Sequence, residues 1–144
     1  MGESIFPFIL ETVTKENSTA SNQTTIQREY AWDFDRDCFQ LVDGKLSTVT
    51  GQDAVKIWAM KALRVPRCRY LAYSWDYGHE LENLFGQSLS KEATLSEAKR
   101  YISEALLVNP NITEVKNLNV NLENATLKVT CALVTDYGEV NVVV

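Results

Sequence analysis

The chain is expected to fold as a single α+β domain, with a mostly antiparallel sheet and two main helices packed on it. Three observations predict this class. Residues 115–144 alternate apolar and polar positions between short turn signals, two upstream segments carry helical spacing, and the strand-like segments do not alternate with helices as a parallel sheet requires. At 144 residues the chain has the usual size of one domain, and 45% apolar with 23% charged residues is an ordinary globular composition.

Residues 1–25 read as an N-terminal arm and polar linker ahead of an α+β domain at 26–144. Residues 5–13 are an apolar stretch around Pro7; residues 14–25 are Ser, Thr, Asn and Gln-rich and too polar to order themselves by burial. The apolar stretch has no basic leader, is interrupted by Pro7 and Glu11, and is too short to span a bilayer, so no membrane or secretory role is expected. It is expected to pack on its own domain or to dock on a neighbouring subunit.

Strand signals start at Ile26, where Tyr30, Trp32 and Phe34 alternate with Glu29, Asp33 and Asp35. Asp43-Gly44 signals a turn, and residues 45–49 a short strand. Thr50 with Asp53 predicts a helix start, and the helix is expected to reach about Leu63, before Pro66. Ala54, Val55, Trp58 and Ala62 form its stripe; Ile57 and Met60 lie off it, so this helix is deeply buried or shared with another chain. Residues 69–74 are a strand candidate, Trp75-Asp76-Tyr77-Gly78 a turn, and residues 80–85 a short helix closed by Gly86. Thr94-Leu95-Ser96-Glu97 has the form of a capping box, opening a helix with Leu95, Ala98, Ile102, Ala105 and Leu106 on one face and Asn109-Pro110 at its end. A three-stranded meander follows, turning at residues 123–125 and at Asp136-Tyr137-Gly138, and ending in a strand at residues 139–144.

Composition excludes several functions. Net charge is −5, and the nearest approach to a basic cluster is Arg64, Arg67 and Arg69 in an apolar stretch, so no nucleic acid is expected as a partner. Cys38, Cys68 and Cys131 are far apart and form no CxxC pair; reduced, mostly buried thiols are expected. The Asn-x-Ser/Thr sequons at Asn17, Asn22, Asn111 and Asn124 carry no weight without a secretory signal. One histidine, His79, cannot build a His-rich metal site. Asp33-Phe34-Asp35-Arg36-Asp37 imitates the start of a calcium loop, but Cys38 and Gly44 occupy the positions that need Gly and Glu. Glu80 and Glu82 beside His79 could imitate an acid/base pair, although a solvated polar face is the simpler account. No nucleotide or nucleophile-elbow motif occurs, so the expectation is no enzyme, no cofactor and no metal, with no catalytic residue assigned.

Residues 69–87, RYLAYSWDYGHELENLFGQ, carry the most specific pattern in the chain. Arg67, Tyr70, Tyr73, Ser74, Trp75, Tyr77, Gly78, Glu80 and Leu81, with Gly51, Ala54 and Val55 upstream and Asp136 to Glu139 downstream, resemble the PBSX-like prophage baseplate family over roughly residues 28–140. That family is similar to the baseplate-wedge and sheath-initiator proteins of contractile tails and type VI secretion. The resemblance implies a structural subunit present in six copies, located in a virion tail baseplate or tail-like particle and in the host bacterial cytoplasm before assembly. It implies other wedge proteins, the tail sheath protein and the tail tube or hub as partners. A generic tail adaptor is the alternative, and a cell-wall hydrolase a more distant one. In the wider group a Glu-Pro-Arg or Gly-Glu-Arg motif contacts the core bundle of the wedge; Val65-Pro66-Arg67 keeps the arginine without the glutamate, so only Arg67 is carried over.

Two contact surfaces are expected on that basis. Arg67, Trp75 and Tyr77 form one, since arginine and aromatics dominate interface energetics. The final strand, with Glu139, Val140, Val142 and Val144, forms the other: β-prone and free of proline, it is suited to pair with a strand of a sheath subunit.

Overall fold

A computed structural model describes residues 26–123 and 126–144. The expected arm at 1–25 and the middle of the turn at 123–125 lie outside this range. The fold is α+β, and every paired strand within it is antiparallel.

Its foundation is the C-terminal meander β7 (Ile112–Glu123), β8 (Thr126–Thr135) and β9 (Gly138–Val143), in spatial order β7-β8-β9. Period-2 patterning puts Val120, Val129, Cys131, Leu133, Val140 and Val142 on one face, all buried. Two helices cover that face: α1 (Gln52–Ala62) lies over β9 and α2 (Lys91–Leu107) over β7. Val55, Ala59 and Met60 from α1, with Leu63 just past its end, meet Ala98, Ile102 and Leu106 from α2 in one core. The expected α2 face is thus the buried one, with Leu95 partly covered.

The N-terminal strand is less regular than its alternation predicts. β1 (Arg28–Tyr30) pairs with β6 (Thr48–Thr50), β2 (Trp32–Asp33) with β3 (Cys38–Phe39), and β4 (Leu41–Val42) with β5 (Lys45–Leu46). The three ladders meet at Ala31, whose N–H donates to the Ser47 carbonyl (2.9 Å) and whose carbonyl accepts from Gln40 N–H (2.9 Å). Ala31 is 3% exposed, and only a small side chain fits such a junction. One expected strand therefore becomes two half-strands with different partners. Asp33 Oδ1 accepts from the N–H groups of Asp35 and Arg36, both at 3.0 Å, so the calcium-loop imitation is a turn held by its own aspartate.

Three local expectations are corrected. Thr50 does not cap α1, because it stays paired in β6 opposite Arg28; Gly51 makes the strand-to-helix corner with φ 67°, a value other residues adopt at a cost. Helix α2 starts before the Thr94 capping box, since Ser90 caps it, accepting from Ala93 N–H (3.2 Å), and Thr94 is already helical. The thiols are not mostly buried: Cys131 is, but Cys38 and Cys68 sit exposed on a hairpin and a loop with too little surrounding structure to cover them.

The off-stripe residues of α1 have an explanation within the chain. Ile57 and Met60, 4% and 6% exposed, line a groove together with Trp32, Phe34 and Phe39 of the hairpins, and Met60 also reaches the core between the helices and the meander, so the chain itself buries both side chains. Ile102, wholly buried between α2 and the meander, is the most stringent test of this core. Ile102→Ala is expected to cost about 2–5 kcal/mol, read as a lower urea midpoint with an unchanged slope.

Candidate partner-binding surfaces

The final strand forms an edge. β9 pairs only with β8 among the described residues, through the register Leu133↔Val140, Cys131↔Val142 and Thr130↔Val143. Val144 and Val129 exchange both backbone bonds (2.9 and 2.7 Å). In an antiparallel pair, hydrogen-bonded and open positions alternate, so the backbone groups of Val140 and Val142 also turn to β8. Those of Glu139, Asn141 and Val143 turn to the open edge. The same parity divides the side chains: Val140 and Val142 are buried, whereas Glu139, Asn141 and Val143 are exposed. Of the expected edge residues, Val140, Val142 and Val144 therefore hold the strand to the fold, and Glu139 presents backbone outward.

The opposite edge is different. β7 is interrupted at Ile112/Glu114 and again at Lys116/Asn119, where Asn117 adopts φ 52°. It carries exposed Glu114, Lys116 and Glu123. Bulges and charges are the features by which proteins protect an edge from strand addition. Of the meander's two edges, only β9 is regular, and it carries a single charged side chain, Glu139.

Residues 69–74 form no strand. Tyrosine and leucine suit a pleated surface only when a neighbouring strand packs against them. Here Arg67 N–H donates to His79 O (2.8 Å) and His79 N–H to Val65 O (3.0 Å), an isolated parallel bridge that pins both ends of a loop. Gly78 is obligatory at this closure: φ is 101°, and an added Cβ would lie 2.4 Å from Val65 O. Tyr77, 9% exposed, stacks on Tyr73 (4.5 Å between centroids) and meets Trp58 edge-on (5.5 Å). Tyr77 therefore supports the loop from inside, with desolvation first among the causes raising its hydroxyl pKa. Trp75 stands on the outside, 74% exposed, beside Leu71 at 97%.

Arg67 sits at the foot of this loop. Its Nη1 donates to Glu80 Oε1 at 2.6 Å, so its carboxylate comes from 13 residues onward and not from the position before Pro66. Its Nε is buried without an acceptor among the described residues. Arg64 and Arg69 are likewise paired, with Asp37 (2.7 Å) and Glu82 (2.9 Å). Sequence reading missed Leu71 because the segment scanned as a strand, and an apolar residue within an apolar run gives no separate signal.

The groups that imitated a catalytic site are otherwise engaged. Glu80 and Glu82 each pair with an arginine, and His79 Nδ1 accepts from Leu81 N–H (3.2 Å). Burial pushes the Cys131 thiol up to about 11, leaving it protonated. Among the described residues no group of three or more His, Cys, Asp or Glu could hold a metal ion, and no helix is long and apolar enough to cross a membrane.

Burial lowers the His79 pKa, with nearby Arg67 adding to the effect against Glu82. The folded state thus binds this proton less readily than the unfolded chain. The stability contributed by neutral His79 is complete above the ordinary imidazole range of about 6.5 and is lost as pH falls through the lower folded value. Chemical denaturation at pH 7 and pH 5 is expected to show a loss that is smaller in His79→Asn, whose amide oxygen can still accept from Leu81 N–H.

Residues 28–138 match the family described as contractile injection system sheath initiator. No curated protein matches the chain significantly. The family match runs from β1 to the first residue of β9, spanning both helices, the pinned loop and most of the meander. Since it covers well over half of the sequence, the chain belongs to the contractile injection system sheath initiator family.

Proposed function

We propose that this protein is a baseplate subunit of a contractile tail or tail-like particle that joins the wedge through its Arg67–Trp75 loop and nucleates the sheath by accepting a strand along β9. The observation that carries this reading is the asymmetry of the meander. β7 is bulged and charged, whereas β9 offers the backbone of Glu139, Asn141 and Val143 along a regular edge. A sheath subunit's extended segment would add there by main-chain hydrogen bonds, leaving Val140 and Val142 undisturbed in the core. The loop supplies a second, separate contact, in which Trp75 and Leu71 enter an apolar recess of a wedge protein. Six copies per particle, proximity to the tube or hub, and residence in the host cytoplasm before assembly belong to the same reading, on the strength of the family.

Deleting residues 139–144 would not test the edge alone, because Val140 and Val142 would leave the core with it. Asn141→Pro is the selective change. The Asn141 N–H points away from β8, so proline there removes no internal bond but blocks an incoming strand. Circular dichroism and thermal midpoint are expected to stay close to wild type, while sheath polymerisation on reconstituted baseplates, scored by electron microscopy, is lost. A variant that still polymerised sheath would remove β9 from the mechanism.

For the wedge contact, Trp75→Ala is cleaner than Arg67→Ala. The arginine is tied to Glu80, and its removal is expected to cost about 1–2 kcal/mol of stability by itself. Trp75→Ala should leave stability within about 0.5 kcal/mol and abolish co-purification with the wedge. A folded Trp75→Ala protein that still assembles would assign the tryptophan no role there.

A further inference from the structure

Beside α1 lies a groove of about 340 Å³, lined by Trp32, Phe34, Phe39, Ile57, Met60 and Tyr73 together with Lys61 and Arg64. Both lining cations are already paired, Lys61 with Glu29 (2.6 Å) and Arg64 with Asp37, so the recess offers contact chemistry that is mainly aromatic and aliphatic. Phe39 and Tyr73 remain 45% and 43% exposed at its sides. Such a wall of aromatic rings suits an extended, proline-containing apolar segment, because proline is pre-ordered and aromatic faces accept its flat ring.

The sequence contains one such segment. Residues 5–10 read Ile-Phe-Pro-Phe-Ile-Leu, and residues 11–25, fifteen mostly polar positions, connect them to the domain. The tether length fits the groove. Ile26 and Trp32 are six residues apart, so they are separated by at most about 20 Å. A fifteen-residue tether has a root-mean-square span of about 21 Å, and an intramolecular site at matching distance sees an effective concentration in the millimolar range. We infer that residues 5–10 of the same chain occupy this groove, with the Phe6-Pro7-Phe8 unit against Trp32, Phe39 and Tyr73. The free subunit thereby covers this aromatic recess with its own N-terminal segment. This inference is independent of the roles proposed for β9 and for Trp75.

The chain's three tryptophans allow a direct test, since each indole N–H gives its own NMR resonance, and only Trp32 lines the groove. Comparing the full chain with a variant lacking residues 2–14 is expected to shift the Trp32 resonance and leave that of Trp75 in place. A synthetic peptide of residues 2–14, added at millimolar concentration to the truncated protein, is expected to restore the Trp32 position. Restoration should be lost in the truncated Phe39→Ser protein, whose substituted side chain is half exposed and outside the buried core. An unmoved Trp32 resonance on truncation would overturn the inference. So would a Trp32 shift that depends on protein concentration together with a dimeric mass by light scattering, which would place a second copy's arm in the groove.

Discussion

The architecture depends on a coincidence of two alternations in β9. Side chains along a strand change face at every residue, and backbone groups change edge at every residue, so one parity governs both. In β9 the residues that bury valine in the core are also those bonded to β8. The remaining residues direct both side chain and backbone outward. The core and the open edge therefore occupy the same six-residue strand without competing. Shifting the register by one residue would exchange them, placing Val140 and Val142 in solvent and Glu139 over α1.

A second constraint holds the loop between Arg67 and Gly78. Its residues make few contacts with the sheet, and its shape comes from a pinned base and a stacked interior. The Pro66–His79 bridge sets the two ends together, Gly78 allows the backbone to pass Val65 closely, and Tyr73, Tyr77 and Trp58 form a ladder of rings behind it. Trp75 can be exposed because Tyr77 is not. Neighbouring aromatics in one sequence motif thus have opposite duties, one supporting the loop and one displayed at its surface.

Sequence periodicity reported the parts of this molecule that bury one face against a large partner. The α2 face and all three meander strands could be read from alternation alone, since each contributes apolar side chains to the same core. It failed where the governing event is a contact between distant residues. Nothing near Ala31 announces that three ladders converge there, and nothing near Tyr70 shows that the absence of a neighbouring strand turns a β-prone segment into a loop. The Ser90 cap was hidden behind a better-looking Thr94 box, because Lys91-Glu92-Ala93 extends the helix backwards by helix-forming residues with no apolar signature. At the surfaces, the β9 edge was readable as a strand with little charge, but the bulges that disable β7 depend on register, which single-strand patterning does not contain.

The bulged β7 edge also bears on how many neighbours this sheet can accept. A flat meander with two clean sides would be extendable in both directions, and copies of it could stack on one another into a fibre. With one side spoiled, the described sheet has a valence of one. Two copies could meet only open side to open side, which ends growth at once. Continued growth would require a newcomer that brings a fresh open side of its own.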